Sequence, residues 1–135
     1  MSYAIMDLEG IGPDLAAKLK AVGIRTTAKL LDAAKSARGR KELAAKIGVD
    51  EKTVLAWANL ADRMRIKGVG EDYAGLLQAA GVDTVKELKY RNVENLAQAM
   101  AAANKKRKLV RVLPSEGRVR LWIEQAKQLP LKISY

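Results

Sequence analysis

Gly10-Ile11-Gly12-Pro13-Asp14-Leu15-Ala16 returns further along the chain as Gly68-Val69-Gly70-Glu71-Asp72-Tyr73-Ala74. The match continues in the same register through Leu19/Leu77, Ala21/Ala79, Gly23/Gly81, Thr26/Thr84 and Leu30/Leu88. Nine of the 22 positions from Gly10 to Leu31 are identical, and Ile11/Val69 and Ile24/Val82 are conservative. Self-similarity at this scale decides the architecture before any single element does. A second anchor follows each copy: Val54-Leu55-Ala56-Trp57 before Ala61, and Val119-Arg120-Leu121-Trp122 before Ala126, now at a longer spacing. The second copy therefore carries about seven extra residues, which fall in the basic stretch Asn104 to Pro114. The chain divides into repeat one, about residues 4–64, and repeat two, about residues 65–130, within one expected domain over 1–135.

Both copies follow one local grammar. A glycine–apolar–glycine hairpin opens a helix, expected over 13–22 and again over 71–80. Pro13 suits a first helical position, where its missing N–H has no partner to lose. Gly23 and Gly81 stand where a left-handed residue ends a helix. Thr26 and Thr84 read as N-caps, with Thr84-Val85-Lys86-Glu87 forming a capping-box pattern. Further helices are expected near 38–47, 51–65, 92–104 and 115–128, with Asp50, Asn92 and Ser115 as caps. Val54, Trp57, Ala58 and Ala61 fall on one helical face, as do Val119, Trp122, Ile123 and Ala126, so both tryptophans are expected in the core. Tyr3-Ala4-Ile5-Met6 and Leu131-Lys132-Ile133-Ser134-Tyr135 are the candidates for short extended segments, paired with one another.

Composition agrees with an all-α protein and removes whole classes of chemistry. The 135 residues are 49% hydrophobic and 30% charged, without Phe, and rich in Ala, Leu, Lys, Glu and Gln. Without Cys there are no disulfides, thiolate metal sites or cysteine nucleophiles, and without His no imidazole catalysis and none of the usual zinc or haem sites. The serines have no His partner, and neither hairpin has the Lys-Ser/Thr or third glycine of a nucleotide-binding loop. No enzyme activity, cofactor or metal is expected. No apolar run reaches a membrane span and the N-terminus lacks a basic segment followed by an apolar core, so the expectation is a cytoplasmic protein without a membrane partner.

With Leu8 and Ile66 two residues before each first glycine, Ala16 and Ala74 four after each second, and Leu19 and Leu77 three further on, the hairpins resemble the helix-hairpin-helix motif. With both copies, caps and tryptophan anchors, almost the whole chain is similar to a bacterial family of unknown function built from tandem helix-hairpin-helix repeats. The resemblance implies two SAM-domain-like repeats related by pseudo-twofold symmetry and packed as one compact domain. It also implies a partner, since the wider motif class binds double-stranded DNA through phosphates without reading bases. Glycine lets a ligand approach the backbone, and the following helix N-terminus presents unpaired N–H groups and partial positive charge. On that ground Gly10, Gly12, Gly68 and Gly70 are candidate phosphate contacts, with Lys67 beside the second hairpin.

Charge supplies further candidates and an objection. The net charge is +10. Between positions 105 and 120, Lys105, Lys106, Arg107, Lys108, Arg111, Arg118 and Arg120 oppose a lone Glu116, and a second group holds Lys35, Arg38, Arg40, Lys41 and Lys46 with Glu42. Such clusters are the footprint of a phosphate-backbone binder, in keeping with a nucleoid-associated protein. Asp14, Glu71 and Asp72 in the first helical turns, with Glu9 beside the first hairpin, stabilise their own helix dipoles and repel phosphate. The alternative is a protein-interaction or scaffolding module, whose hairpins are tight corners and whose basic face docks an acidic partner.

Overall fold

The computed structural model describes residues 2–8 and 10–135, so the position of Glu9 beside the first hairpin lies outside the described residues. Among these residues the fold is all-helical, with eight α-helices, one 3-10 turn and no β-strand. The chain forms two compact units, Met1–Arg65 with Lys132–Tyr135, and Ile66–Leu131.

Unit 1 contains α1 (Pro13–Ala21), α2 (Thr27–Ala34), α3 (Ala37–Ile47) and α4 (Glu51–Met64). Gly12 caps α1 in an extended conformation and Pro13 occupies the first turn. Thr26 Oγ1 accepts the Lys29 N–H at 3.2 Å, which starts α2. Ser36, not expected as a cap, takes the Gly39 N–H at 3.0 Å and starts α3. A methyl group on Gly39 would run into the Ala33 carbonyl oxygen, so the α2–α3 corner requires the missing side chain. Asp50 sits at the N-cap of α4 but makes no side-chain capping bond. Helices α2, α3 and α4 pack against one another and α1 packs on α3. The buried face of α4 is the expected one, with Val54, Trp57, Ala58 and Ala61 all in the core.

Unit 2 contains α5 (Glu71–Ala79), α6 (Val85–Lys89), α7 (Val93–Arg107) and α8 (Glu116–Gln128). The Thr84–Glu87 capping box is closed, the Glu87 carboxylate accepting from both the Thr84 N–H and hydroxyl. Asn92 takes the Asn95 N–H at 3.0 Å, and Ser115 takes the Arg118 N–H at 3.2 Å. Helix α8 packs against α6 and α7, and α5 packs against α7. Val119, Trp122, Ile123 and Ala126 form its buried stripe. Helix α7 runs three residues beyond the expected end at 104, which places Lys105, Lys106 and Arg107 in its last turn, where cations are favoured by the helix dipole.

The sequence repeat has a counterpart in main-chain bonding. Ile11 N–H donates to Leu8 O as Val69 N–H does to Ile66 O, both at 3.1 Å. Ile24 N–H closes on Leu19 O as Val82 N–H does on Leu77 O, both at 2.9 Å, across Gly23 and Gly81 in the left-handed region. Ile11 and Val69 are buried, as are Leu8, Ala16 and Leu19 with their counterparts Ile66, Ala74 and Leu77.

The two ends of the chain differ from expectation. Residues 5–7 form the 3-10 turn, and Ala4 makes an isolated antiparallel bridge with Thr26. Ser134 donates its N–H to Lys35 O at 2.8 Å. Each segment lies against a flank of α2 in place of the expected pairing of the two ends. The physical reason is that the residues flanking α2 offer main-chain groups its own hydrogen bonds do not use.

Candidate nucleic-acid interface

A groove of about 1050 Å³ lies in unit 2, and its walls come from two separated parts of the sequence. One wall is the second hairpin with the first turn of α5: Gly68, Gly70, Glu71, Asp72 and Tyr73. The other is the end of α7 and the loop after it, Asn104 and Lys108 through Val112.

Side-chain bonds fix both walls. Gln125 of α8 holds the hairpin entrance with a two-point amide contact, its Oε1 accepting the Lys67 N–H at 3.0 Å and its Nε2 donating to Lys67 O at 3.3 Å. Behind the hairpin, Trp122 lies against Gly68 and meets the Tyr73 ring at a centroid distance of 5.4 Å and 54°. On the far wall, Lys108 caps α7 in the left-handed region at φ 50°. Asn104 clamps the following loop, accepting the Val110 N–H at 2.9 Å and donating to Val110 O at 3.1 Å. The Tyr73 hydroxyl joins the walls by donating to Val112 O at 3.0 Å. Lys108 and Arg111 are exposed on the groove.

The two glycines of this hairpin are not equivalent. Gly68 has φ +91°, where an L side chain is strained, whereas Gly70 has φ −86° with open space where a Cβ would stand. Gly68→Ala is therefore expected to destabilise the protein by about 1–2 kcal/mol and Gly70→Ala by less. Urea denaturation of the two variants measures the difference, and equal midpoints would contradict it.

A family described as a domain of unknown function (DUF4332) matches residues 9–129. The chain belongs to this family. No curated protein and no solved structure matches the chain.

Of the candidate contacts, the DUF4332 fold gathers Gly68, Gly70, Lys108 and Arg111 on one groove. Lys105, Lys106 and Arg107 are exposed on the last turn of α7, Arg118 and Arg120 on α8, and Lys67 at the hairpin entrance, none of them lining the groove. Gly10 and Gly12 belong to unit 1, where Gly12 lines a smaller, mainly apolar pocket of about 190 Å³ with Ile11, Pro13 and Ala16. The second basic group is weaker than its composition suggests: Arg40 is buried, and Arg38 pairs with Glu42 at 3.1 Å.

Tyr73, Asn104 and Gln125 are the site residues that motif reasoning passed over. Gln125 had a usable signal, because the first copy has apolar Leu60 at the equivalent position. Asn104 had none, since its partner Val110 belongs to the segment absent from the first copy. Among the described residues no cluster of His, Cys, Asp or Glu is placed to hold a metal, and no helix is long and apolar enough to cross a membrane.

Proposed function

We propose that this DUF4332 protein is a non-catalytic, cytoplasmic nucleic-acid-binding module. Its preferred ligand is double-stranded DNA, bound largely independently of sequence through helix-hairpin-helix backbone contacts and basic side chains. The observation that supports this best is the shared groove, where Gly68 and Gly70 face the same space as Lys108 and Arg111. A helix N-terminus and two cations converging on one concave surface suit a phosphate, and Lys105, Lys106 and Arg107 extend the positive surface along α7. Phosphate contacts position a protein on a duplex without conveying sequence, which fits the absence of aromatic interleaving in the basic stretch.

Fluorescence anisotropy of a labelled duplex at two salt concentrations tests the proposal. Affinity should fall with salt at a log–log slope near −0.9 per phosphate contacted and change little between unrelated duplexes. No binding to any duplex at low salt rejects it. The groove's own anions sharpen the test. Glu71→Gln combined with Asp72→Asn keeps the shape and removes two charges from the wall. That variant should bind DNA more tightly if the second hairpin meets phosphate, and unchanged affinity would remove the hairpin from the contact.

A protein-interaction or scaffolding module is the second reading, supported by the same loop. Val112 and Leu113 are 71% and 41% exposed beside Arg111, a mixture of apolar and cationic surface that suits an acidic protein partner. On that reading the hairpins are structural corners and the anisotropy experiment gives no signal.

A further inference from the structure

Among the described residues, Lys108 is the one residue other than glycine with a positive φ, at φ 50° and ψ 49°. The other left-handed residues that follow a helix are Gly23, Gly48 and Gly81. An L residue in this conformation presses its Cβ against the main chain, a cost that glycine does not have. Such a conformation persists where surrounding bonds over-determine it. At Lys108 those bonds come from one residue. The Asn104 carbonyl accepts the Lys108 N–H at 2.7 Å, its Oδ1 accepts the Val110 N–H at 2.9 Å, and its Nδ2 donates to Val110 O at 3.1 Å. The chain is gripped on both sides of the turn, and residues 109–112 continue from it as the far wall of the groove in unit 2.

Glycine would follow that path without strain, so the backbone gives no reason for lysine. The side chain does. Lys108 lines the groove and is exposed, and its ammonium makes no ion pair or hydrogen bond among the described residues. Its three cationic neighbours on α7, Lys105, Lys106 and Arg107, do not line the groove. The strained position is therefore the one from which a cation of this run reaches the concave surface.

We propose that Lys108 anchors a backbone phosphate of the bound duplex in this groove, and that its left-handed conformation is stability given up for that contact. The assignment rests on the nucleic-acid reading above and deepens it. Of the four consecutive cations, Lys108 makes the short-range contact that fixes the strand, and the other three add attraction from the outer surface. Strain and binding are then opposed at a single residue.

Lys108→Gly, Lys108→Ala, Lys108→Arg and Lys105→Ala separate backbone from charge. Urea denaturation without DNA should give Lys108→Gly a higher midpoint than the parent or Lys108→Ala, which both keep a Cβ at φ 50°. In fluorescence anisotropy with one labelled duplex at low salt, Lys108→Gly and Lys108→Ala should each bind about tenfold more weakly or worse, as for loss of a charged hydrogen bond. Their salt slope should be shallower by about 0.9. Lys108→Arg should recover most of the lost affinity, and Lys105→Ala should lose less than Lys108→Ala. A midpoint for Lys108→Gly no higher than for Lys108→Ala overturns the proposal, as does a loss for Lys105→Ala equal to that for Lys108→Ala; both results leave the nucleic-acid reading standing. Failure of the parent itself to bind any duplex rejects that reading, and this assignment with it.

Discussion

Trp122→Ala will lower the stability of the protein by about 3–5 kcal/mol, the range for removing a large aromatic side chain from a packed interior. Trp122 is 1% exposed and occupies the buried stripe of α8 with Val119, Ile123 and Ala126. It also backs Gly68 and packs on Tyr73, so the resulting void opens beneath the hairpin as well as between helices. Trp57, 6% exposed at the equivalent place on α4, should lose a similar amount when changed to alanine. Urea titration of both variants gives the values, read from the midpoint with the slope unchanged. A parental midpoint for Trp122→Ala would mean that its ring does not support the fold. DNA affinity of this variant is interpretable only without denaturant and at temperatures where it remains folded.

Neutralising Lys105, Lys106, Arg107 and Lys108 together should give the largest change in nucleic-acid binding of any surface substitution. All four are exposed at the end of α7, and none makes an ion pair among the described residues. The salt slope should become shallower by about 0.9 for every phosphate no longer met, so as much as about 3.6 for four. The weakening should be nearly the same for different duplex sequences. Lys67→Ala should have a much smaller effect, since Lys67 is a single charge and its main chain stays fixed by Gln125. An affinity that falls further for Lys67→Ala than for the fourfold variant would place the contact at the hairpin and not on α7.

Local elements were legible wherever short-range chemistry determines them. Thr26, Thr84, Asn92 and Ser115 marked helix starts because a first turn needs acceptors for its own N–H groups, and Pro13 did so because a residue without an N–H needs none. The spacing of Val119, Trp122, Ile123 and Ala126 marked the inward face of α8 because burial follows the helical period. The hairpin glycines and the basic run were visible one by one, but not that they share a groove. That depends on how far α7 extends and on Asn104 folding the following loop back, contacts six residues apart with no periodic signature. Arg40 shows the opposite failure. Counted with its neighbours it looked like part of a solvated basic face, yet its side chain is buried and binds carbonyl oxygens. Formal charge carries no information about which cation faces inward.

Because Lys132–Tyr135 returns to unit 1, unit 2 is an insert, Ile66–Leu131, with both ends anchored on the same body. While that anchorage lasts, an unfolded unit 2 is a closed loop with fewer conformations than a free tail. In a chain-entropy description, permanent closure of a loop this long would favour the folded insert by roughly 4 kcal/mol, and a non-covalent anchor contributes no more of this than its own binding free energy. The few residues that close it thus act at a distance: weakening the Ser134 contacts would loosen α5 to α8 without touching any of them. Native-state hydrogen exchange would register this as faster opening throughout residues 66–131.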